Sequence, residues 1–479
     1  MSLALALGAS CGQRSDELPA PPLTQLHYPG LMAAVGRSGA DPVLEVVSTN
    51  LDNLYADGTL LGVPSASTSS AVPFLGGVVV TSDATEVRVL QDATDVLQGA
   101  DTPTLTQCGF GADPLLYLGT RDQLYRMDVT SGVPVCGPGC TTGLDGRFAG
   151  DAWPVAISCP VPAGNRPRRA WVGYLAGVNN NGYVGQISLD AAGNPLNDLV
   201  QVYVGKGFPQ AFAYDPTWDR LYFVTREYQL TSALRWIEPG PGGCLPFLDA
   251  FGVQDEQNRG CHVEYTGFVL SSVLRGAEGA DVKLSNELSA CETPVDPGVQ
   301  CRKAYVAVRV YNADLAAVNG TRPLNDIGGQ LWVMEIPQSD TAAAPRLLRR
   351  LDVGLGVIRL QVIPRGPGLP DLVAAAARVD DQLWIYDDAT GLIAAGVGRD
   401  KNGFPLLGHD LLGLAAVRLP TGVVRVFVTA MSDHWVSAVD IPTAADQTTL
   451  VPGDAYVVHQ GPIPADETQP ILHIKGTLQ

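Results

Sequence analysis

Short apolar stretches of strand length recur along the chain, with turn-forming residues between them. The clearest succession occupies residues 357–363, 372–379, 382–387 and 392–397. Asp380 and Asp381 and the run 388–391 (DATG) join the last three stretches, and residues 364–370 (PRGPGLP) separate the first two. Short runs bounded by such residues are typical of β-strands joined as antiparallel neighbours. This part of the chain therefore predicts one four-stranded antiparallel sheet.

A repeated pattern extends this prediction to the rest of the chain. Residues 123–128 (QLYRMD), 330–335 (QLWVME) and 382–387 (QLWIYD) share the order Gln-Leu-aromatic-x-x-acid, and 234–238 and 434–440 are looser versions. Each copy falls on the third strand of its set, where an aromatic ring can fill the space between neighbouring sheets. The sequence thus predicts an all-β fold, a β-propeller with four antiparallel strands per blade. Seven blades fit best, and six or eight are the alternatives.

With the repeated pattern placed on the third strand, strands can be assigned to all seven blades. The apolar residues 78–80 are not assigned to any strand of a blade. The expected blades comprise residues 31–35, 43–48, 59–63 and 87–90; 104–108, 115–119, 123–128 and a strand near 145–150; 155–159, 170–175, 183–190 and 199–205; 210–214, 221–225, 234–238 and 245–253; 265–270, 304–310, 330–336 and 347–353; the stretch 357–397; and 412–417, 423–429, 435–441 and 471–474. The long segments between strands, such as 131–153 and 271–303, are expected to be loop insertions.

The N-terminus differs from the rest of the chain. Residues 3–10 form a short apolar run that ends in small residues before Cys11, and residues 12–26 are polar and rich in proline. The run resembles a bacterial lipoprotein signal, which implies diacylation of Cys11; a signal peptide without lipidation is the alternative. We therefore expect a signal peptide-like segment at 1–10, a lipid anchor and flexible tether at 11–26, and a single propeller domain with disulfide-stapled loop insertions at 27–479.

Two strands carry a further family likeness. Residues 221–225 (LYFVT) and 426–429 (VFVT) come close to a Tyr-Val-Thr-Asn repeat, although the literal tetrapeptide is absent. With the repeats described above, the chain resembles lactonase-like and YVTN-type seven-bladed β-propellers. With its N-terminus, it resembles propeller lipoproteins displayed by Gram-negative bacteria. The resemblance implies an exported protein, held at the outer membrane or cell surface by its lipid anchor only.

The charge of the chain restricts its partners. The 479 residues carry a net charge of −18, and the longest basic run is the group Arg346, Arg349 and Arg350. Binding to nucleic acid or to an anionic lipid surface needs a basic stripe. We therefore expect no nucleic-acid partner, and instead a protein or envelope-polymer partner or self-assembly.

The cysteines fit an oxidising compartment. Nine are present, so setting Cys11 aside leaves eight, enough for four disulfides. Proximity in sequence favours the pairs Cys108–Cys159, Cys136–Cys140, Cys244–Cys261 and Cys291–Cys301, although spacing alone leaves other pairings open. No C-x-x-C motif indicates a metal site, and the six histidines, His409 among them, show no metal-binding spacing.

Acidic or amide residues follow the second strand of every expected blade. In a propeller these second-to-third-strand turns meet on one face around the channel. The predicted polar ring consists of Asp52, Asp122, Asn180, Glu227, Asp314, Asp380 with Asp381, and Asp433. Such oxygens suit Ca²⁺, and lactonase-like propellers hold a cation on their channel, so the resemblance implies a possible Ca²⁺ site. The alternative is that turns favour Asp and Asn for backbone reasons alone.

No catalytic residues are predicted, because the sequence shows no paired acid and base, nucleophile or phosphate-binding loop. The preferred interpretation is a non-enzymatic, surface-anchored propeller lipoprotein that acts as a protein- or polymer-binding scaffold. A lactonase-like hydrolase with a divalent cation on its channel is one alternative. A structural subunit of an extracellular assembly is the other.

Overall fold

A computed structural model describes the chain from residue 31 to residue 475. Up to residue 158 it covers nine strands and Ser158; from residue 169 onward it omits 177–180, 197, 227–231, 240–242, 245–260, 294–296, 312–325, 339–343, 366–367, 419–421, 431–432, 434, 445–449 and 463–470. Within these bounds the strands and helices are all β-strands, apart from two three-residue 3-10 helices, Leu270–Ser272 and Pro452–Asp454. The described part of the chain contains no helix that is long and apolar enough to cross a membrane.

The first half of the chain supplies sixteen strands. They are β1 (Leu31–Ser38), β2 (Asp41–Ser48), β3 (Val78–Val80), β4 (Val87–Val89), β5 (Thr104–Cys108), β6 (Leu115–Gly119), β7 (Gln123–Met127), β8 (Thr142–Gly143), β9 (Trp153–Ile157), β10 (Arg169–Ala176), β11 (Asn181–Ser188), β12 (Val200–Lys206), β13 (Phe208–Asp215), β14 (Arg220–Arg226), β15 (Ala233–Pro239) and β16 (Cys261–Val269). Strands β5–β8, β9–β12 and β13–β16 form three separate antiparallel sheets in chain order.

The second half supplies fourteen more. They are β17 (Ala277–Leu284), β18 (Ser289–Ala290), β19 (Gln300–Tyr311), β20 (Asp326–Pro337), β21 (Arg346–Asp352), β22 (Val357–Ile363), β23 (Leu372–Ala377), β24 (Gln382–Asp387), β25 (Leu392–Val397), β26 (Leu411–Arg418), β27 (Val424–Ala430), β28 (Trp435–Ile441), β29 (Tyr456–Pro462) and β30 (Ile471–Lys475). One sheet has the order β17-β19-β20-β21, with β18 beside β19, and another the order β22-β23-β24-β25. The remaining strands form a nine-stranded sheet in the order β29-β28-β27-β26-β30-β1-β2-β3-β4.

Successive sheets adjoin through their first strands. Strand β5 contacts β9, β9 contacts β13, β13 contacts β17, β17 contacts β22, and β22 contacts β26. Consecutive four-stranded antiparallel sheets that meet through their first strands have the arrangement of propeller blades. The all-β prediction and the four-stranded antiparallel unit are therefore confirmed, whereas the count of seven blades stays a prediction.

The core lies between the sheets, and β23 shows how the sequence encodes it. All six of its residues are buried. Leu372, Ala374 and Ala376 belong to the cluster shared with the β26–β29 strands. Val373 and Ala375 face the other way, into the cluster shared with the β17–β21 sheet. Because side chains alternate across a strand, a strand packed on both faces must be apolar throughout.

The repeated third-strand pattern has a structural reason in the described copies. Trp236 and Trp332 are buried in one cluster between the β13–β16 and β17–β21 sheets. The acids that end the pattern bind arginines of the adjacent strand. Glu238 pairs with Arg220 Nε at 2.7 Å, and Asp440 accepts two hydrogen bonds from Arg425, at 2.7 and 2.9 Å. The pattern therefore marks the aromatic filler between two sheets and the acid that fixes the end of a blade.

The strand assignment was wrong at one junction. The expected first strand 265–270 belongs to β16, the outer strand of the preceding sheet, and β17 takes the inner position. Residues 271–303 are thus no loop insertion but contain β17 and β18. The sequence of β17, AEGADVKL, hides its inner position because Glu278 and Asp281 are buried in it. Asp281 Oδ2 accepts a hydrogen bond from Leu360 N of the next sheet at 2.8 Å, and its Oδ1 pairs with Lys283 Nζ at 3.1 Å. These two contacts satisfy a buried charge that the apolar pattern of an inner strand opposes.

The C-terminal strand was also misplaced. Residues 471–474 were expected to be the last strand of the final blade, but β29 occupies that position. Strand β30 pairs antiparallel with β1, from Ala33 opposite Lys475 to Gly36 opposite Ile471, and meets β26 at Leu414. The unplaced residues 78–80 form β3, beside β2 and β4. The expected strands 59–63 and 245–253 lie outside the described residues, as do residues 1–26 with Cys11.

Candidate functional site

One face of the sheets collects the turns between second and third strands and the connections from each sheet to the next. In an antiparallel meander both kinds of link lie at the same end of the strands. We call this the ring face, because the predicted polar ring lies there. Of that ring, Asp380, Asp381 and Asp433 are described. Asp52, Asp122, Asn180, Glu227 and Asp314 lie outside the described residues, so the ring as a whole stays a prediction.

The described ring acids bind backbone N–H groups of the inter-sheet connections. Asp380 Oδ2 accepts a hydrogen bond from Leu355 N at 2.6 Å. Asp381 Oδ1 accepts one from Asp410 N at 2.8 Å, and Asp433 Oδ2 accepts one from His409 N at 2.5 Å. Connections leave backbone donors that need partners when they are packed away from water. In this part of the ring, the acids fix the connections on either side of the β22–β25 sheet.

Asp381 and Asp410 share an uncommon backbone conformation. Their φ angles are 57° and 67°, in the left-handed region that aspartate tolerates better than most non-glycine residues. Two arginines face them: Arg399 approaches Asp381 Oδ2 at 3.3 Å, and Arg378 forms two hydrogen bonds with the Asp410 carboxylate. Burial raises the pKa of Asp381, and the Asp410 N–H, His409 and Arg399 act in the opposite direction. The pair is thus a fixed corner of the ring face.

Among the described residues of this face, His409 has a side chain well placed to transfer a proton or bind a metal ion. Its Nδ1 lies 2.9 Å from Asp433 Oδ2, and its side chain is 53% exposed. An ionised carboxylate only accepts hydrogen bonds, so in the neutral ring Nδ1 carries the proton and Nε2 presents a lone pair. A carboxylate that orients an imidazole in this way prepares Nε2 to take a proton or bind a metal. Sequence reasoning missed this pair, because the two residues are 24 positions apart and share no motif.

A second polar cluster lies on the opposite face, between the β17–β21 and β22–β25 sheets. Lys303 Nζ contacts both Asp388 oxygens at 3.0 and 2.9 Å and Glu292 Oε1 at 2.9 Å. Glu292 also binds Arg349, and Tyr386 donates to Asp388 Oδ1 at 3.0 Å. Burial acts to lower the pKa of Lys303, but the two carboxylates raise it overall. Every charge in this cluster has an opposite partner, as expected of a joint between two sheets.

Asp371 lies beside this cluster, and its side chain is buried. Burial raises its pKa to about 6, with further contributions from the nearby charges of Asp388 and Glu287. A hydrogen bond from Asn286 N at 2.8 Å and the charge of Arg302 act to lower it. The sequence did not single out Asp371, since it follows a proline-rich turn and has no spacing signal.

Two of the four expected cysteine pairs lie at disulfide distance. The Sγ atoms of Cys244 and Cys261 are 2.27 Å apart, and those of Cys291 and Cys301 are 2.07 Å apart. The other expected pairs, Cys108–Cys159 and Cys136–Cys140, lie outside the described side chains. Among the side chains that are described, one group could hold a metal ion: Cys291, Cys301 and Glu335, whose ligand atoms lie within 4.8 Å of one another.

Comparison with known proteins finds distant structural likeness only. No protein-family model matches the sequence, and no curated protein matches it either. Among solved structures, the chain is similar to the Dos1 propeller (10% identity, TM-score 0.34) and to Sqt1 from Chaetomium thermophilum (14% identity, TM-score 0.37). It is also similar to the periplasmic gluconolactonase PpgL of Pseudomonas aeruginosa (14% identity, TM-score 0.34).

The extent of these matches differs. The matched region covers 69%, 67% and 74% of this chain, and 64%, 63% and 96% of the Dos1, Sqt1 and PpgL chains respectively. This chain thus spans slightly less than two thirds of the first two. The fold assignment rests on the strands and sheets themselves.

Proposed function

We propose that this chain is an exported β-propeller scaffold that binds a protein partner through its ring face. The observation that carries the proposal is the exposure of four apolar side chains on the links and strand ends of that face: Val273 (39% exposed), Ile327 (58%), Val379 (52%) and Phe404 (63%). Exposed apolar groups with a polar surround are typical of protein contact surfaces. Here the polar surface near these side chains includes the exposed guanidinium group of Arg399 and the turns that carry the ring acids.

Rigid presentation supports this use of the face. Asp400 Oδ1 accepts hydrogen bonds from Asn402 N and Phe404 N at 2.8 and 2.9 Å, which fixes the turn that exposes Phe404. Arg399 NH1 donates to Gly403 O of the same turn at 3.0 Å. A loop that is already ordered loses less conformational entropy on binding. The described ring acids also keep this face rigid, because they bind backbone N–H groups of the connections between sheets.

Seven blades and a surface location complete the proposal. Strand β30 contacts both β26 and β5, so β30 together with β5, β9, β13, β17, β22 and β26 would make a ring of seven inner strands. The two cysteine pairs support an oxidising compartment. The apolar run before Cys11 supports a lipid anchor, which would leave the propeller outside the membrane as a rigid display platform.

The test is capture of the lipidated full-length protein from its native envelope, followed by reconstitution with the purified partner. The triple variant Ile327→Ser, Val379→Ser and Phe404→Ser should weaken binding at least about ten-fold, which corresponds to about 1.4 kcal/mol. Leu369→Ser with Leu392→Ser, two exposed leucines on the opposite face, is the matched control and should bind as the wild type does. Equal affinity of the two variants for the partner would refute a ring-face site. Recovery of a glycan polymer, or of a second copy of this chain, would contradict the proposal that the partner is another protein.

A lactonase-like hydrolase is the second candidate, and the His409–Asp433 pair is the observation that favours it. Water attack on a lactone carbonyl needs a group that accepts the proton, and the solvent-facing Nε2 of His409 suits that step. The protonated imidazole would then return the proton to the ring oxygen as the C–O bond breaks. A channel cation such as Ca²⁺ would polarise the carbonyl when bound.

The hydrolase candidate requires three outcomes together: hydrolysis of aldonolactones, loss of that activity in His409→Gln, and a lower Tm in a chelator. Asp433→Asn should reduce the rate with little change in substrate affinity, because it disturbs the orientation of the ring. If the wild type leaves a panel of lactones intact and its Tm is the same with and without chelator, this candidate is excluded.

A further inference from the structure

Residues 289–293 and 297–301, which carry the Cys291–Cys301 pair and which we call the cysteine segment, lie against a buried carboxylate. Glu335, on β20, is 1% exposed, and its carboxylate lies within 4.8 Å of both sulfur atoms. Cys301 is also buried, and Cys291 is half-buried. Two sulfurs and one carboxylate oxygen are three of the ligands that Zn²⁺ takes in four-coordinate protein sites. A disulfide cannot supply those ligands, but the two thiolates formed by its reduction can.

We infer that the reduced form of this segment is a zinc site, with Cys291 Sγ, Cys301 Sγ and a Glu335 oxygen as protein ligands and water completing the coordination. The cysteine pair would therefore have two exclusive states, a disulfide or a metal-bound dithiolate. A dithiol reductant cleaves the S–S bond, takes up its oxidising equivalents as its own disulfide and leaves two thiols. Binding of Zn²⁺ then releases the two thiol protons.

The orientation of Glu335 supports this inference. Its Oε2 accepts a hydrogen bond from Glu292 N at 2.8 Å, and its Oε1 accepts one from Thr293 N at 3.0 Å. Metal-ligating carboxylates are held by hydrogen bonds of this kind, which fix the direction of the remaining lone pairs. The carboxylate is thus held by the backbone N–H groups of the two residues that follow Cys291.

The segment also has anchors other than the disulfide, so reduction should leave the two thiols close together. Strand β18 pairs with β19 at Ser289–Cys301 and Ala290–Gln300, and Gln338 N donates to Gln300 O at 2.8 Å. The Glu292 side chain is held by Arg349 and Lys303. Because these contacts need no S–S bond, the ligand geometry is largely formed before the metal arrives.

The chain contains its own control. Cys244 and Cys261 form a second pair of the same kind, but the polar group bound to Cys244 is the amide of Gln186: Cys244 N donates to Gln186 Oε1 at 2.9 Å. An amide oxygen is a much poorer zinc ligand than a carboxylate. Among the described side chains, no carboxylate or imidazole completes such a group with Cys244 and Cys261. The inference therefore assigns metal binding to the Glu335 pair.

Cobalt titration of the full-length protein tests the site, because thiolate-bound tetrahedral Co²⁺ gives charge-transfer and d–d absorption bands that Zn²⁺ displaces. The protein is reduced with a phosphine, freed of reductant without air, and titrated beside an oxidised sample. We expect the bands in the reduced wild type and in Cys244→Ser with Cys261→Ser. They should be lost in Cys291→Ser with Cys301→Ser and in the oxidised protein.

Glu335→Gln separates this site from adventitious thiol binding. It keeps both sulfurs and should weaken Co²⁺ binding at least about ten-fold, with a changed d–d spectrum. Circular dichroism before titration shows whether each reduced sample is folded. The inference is overturned if Cys291→Ser with Cys301→Ser binds as the wild type does, if Glu335→Gln has the wild-type affinity, or if reduction alone unfolds the propeller.

Discussion

Asp371 illustrates what burial does to a single carboxyl group. Its folded pKa of about 6 exceeds the ordinary value of 3.8, so between these values the folded state binds more protons than the unfolded state. Its contribution to stability is therefore fully present below about pH 4 and is lost as the pH rises through 6. The groups that face it are Asp388, Glu287, Arg302 and Tyr305.

Asp371→Asn should thus raise the Tm at pH 7.5 and leave it nearly unchanged at pH 4. The free energy of unfolding should increase by up to about 3 kcal/mol at the higher pH, since one pKa unit corresponds to about 1.4 kcal/mol. The amide oxygen can still accept the Asn286 N–H. Asp454→Asn, which removes the charge of an exposed aspartate, is the control for net charge. A lower Tm for Asp371→Asn at pH 7.5 would contradict this account.

Burial also determines how much an arginine–carboxylate ion pair contributes to the stability of the fold. Arg425 and Asp440 are 5% and 6% exposed, whereas Arg349 and Glu292 are 31% and 35% exposed. Breaking a buried pair leaves an uncompensated charge and costs about 3–5 kcal/mol, but an exposed pair contributes about 1 kcal/mol or less. Arg425→Met should therefore lower the urea midpoint far more than Arg349→Met. Similar midpoints for the two variants would show that Asp440 finds another partner.

At the scale of elements, the third strands could be predicted from the sequence and two other strands could not. The copies ending at Glu335 and Asp387 carry their own signal, because packing between sheets demands an aromatic and a fixed acid at one position. Strand β17 carries no such signal, since Glu278 and Asp281 interrupt its apolar pattern, and one partner of Asp281, Leu360 N, lies 79 residues away. The partner of β30 depends on strand order around the whole molecule, which local patterns do not encode.

The same limit applies to the candidate site. The turn positions of Asp380 and Asp433 follow from local sequence, because turns favour aspartate. Their partners, Leu355 N and His409, lie 25 and 24 residues away on connections whose course the sequence does not show. Turn chemistry therefore predicted the turn positions of Asp380 and Asp433, but not whether their carboxylates bind backbone, imidazole or a cation.

The position of β30 gives a prediction about strand pairing. It forms four residue pairs with β1 and one with β26. Truncation after residue 462 should cost more than about 3 kcal/mol, since each lost pair contributes roughly 0.5–1.5 kcal/mol. It should also promote self-association, because the edges of two strands become open. Truncation after residue 475 keeps every described strand and should behave as the full chain. An equal loss of stability in both truncated variants would argue against a closing role for β30.

At the scale of the whole molecule, the net charge of −18 predicts how stability responds to salt. Between about 0.01 M and 1 M the Debye length falls from about 30 Å to about 3 Å, which screens repulsion across the surface. Buried pairs such as Arg425–Asp440 are screened much less. The Tm should therefore rise as sodium chloride is added. A fall would show that attractive surface pairs, such as Arg349–Glu292, outweigh the general repulsion.

The pairing of β30 with β1 joins residues more than 430 positions apart in the chain, Ala33 and Lys475 among them. Contacts of such long range slow folding, because the loop-closure entropy is lost before the contact forms. The fold cannot be completed until the last strand has been synthesised. A circular permutant that links the two ends and opens the chain in the exposed turn at 401–404 would make this contact local, and we expect it to refold faster than the natural order.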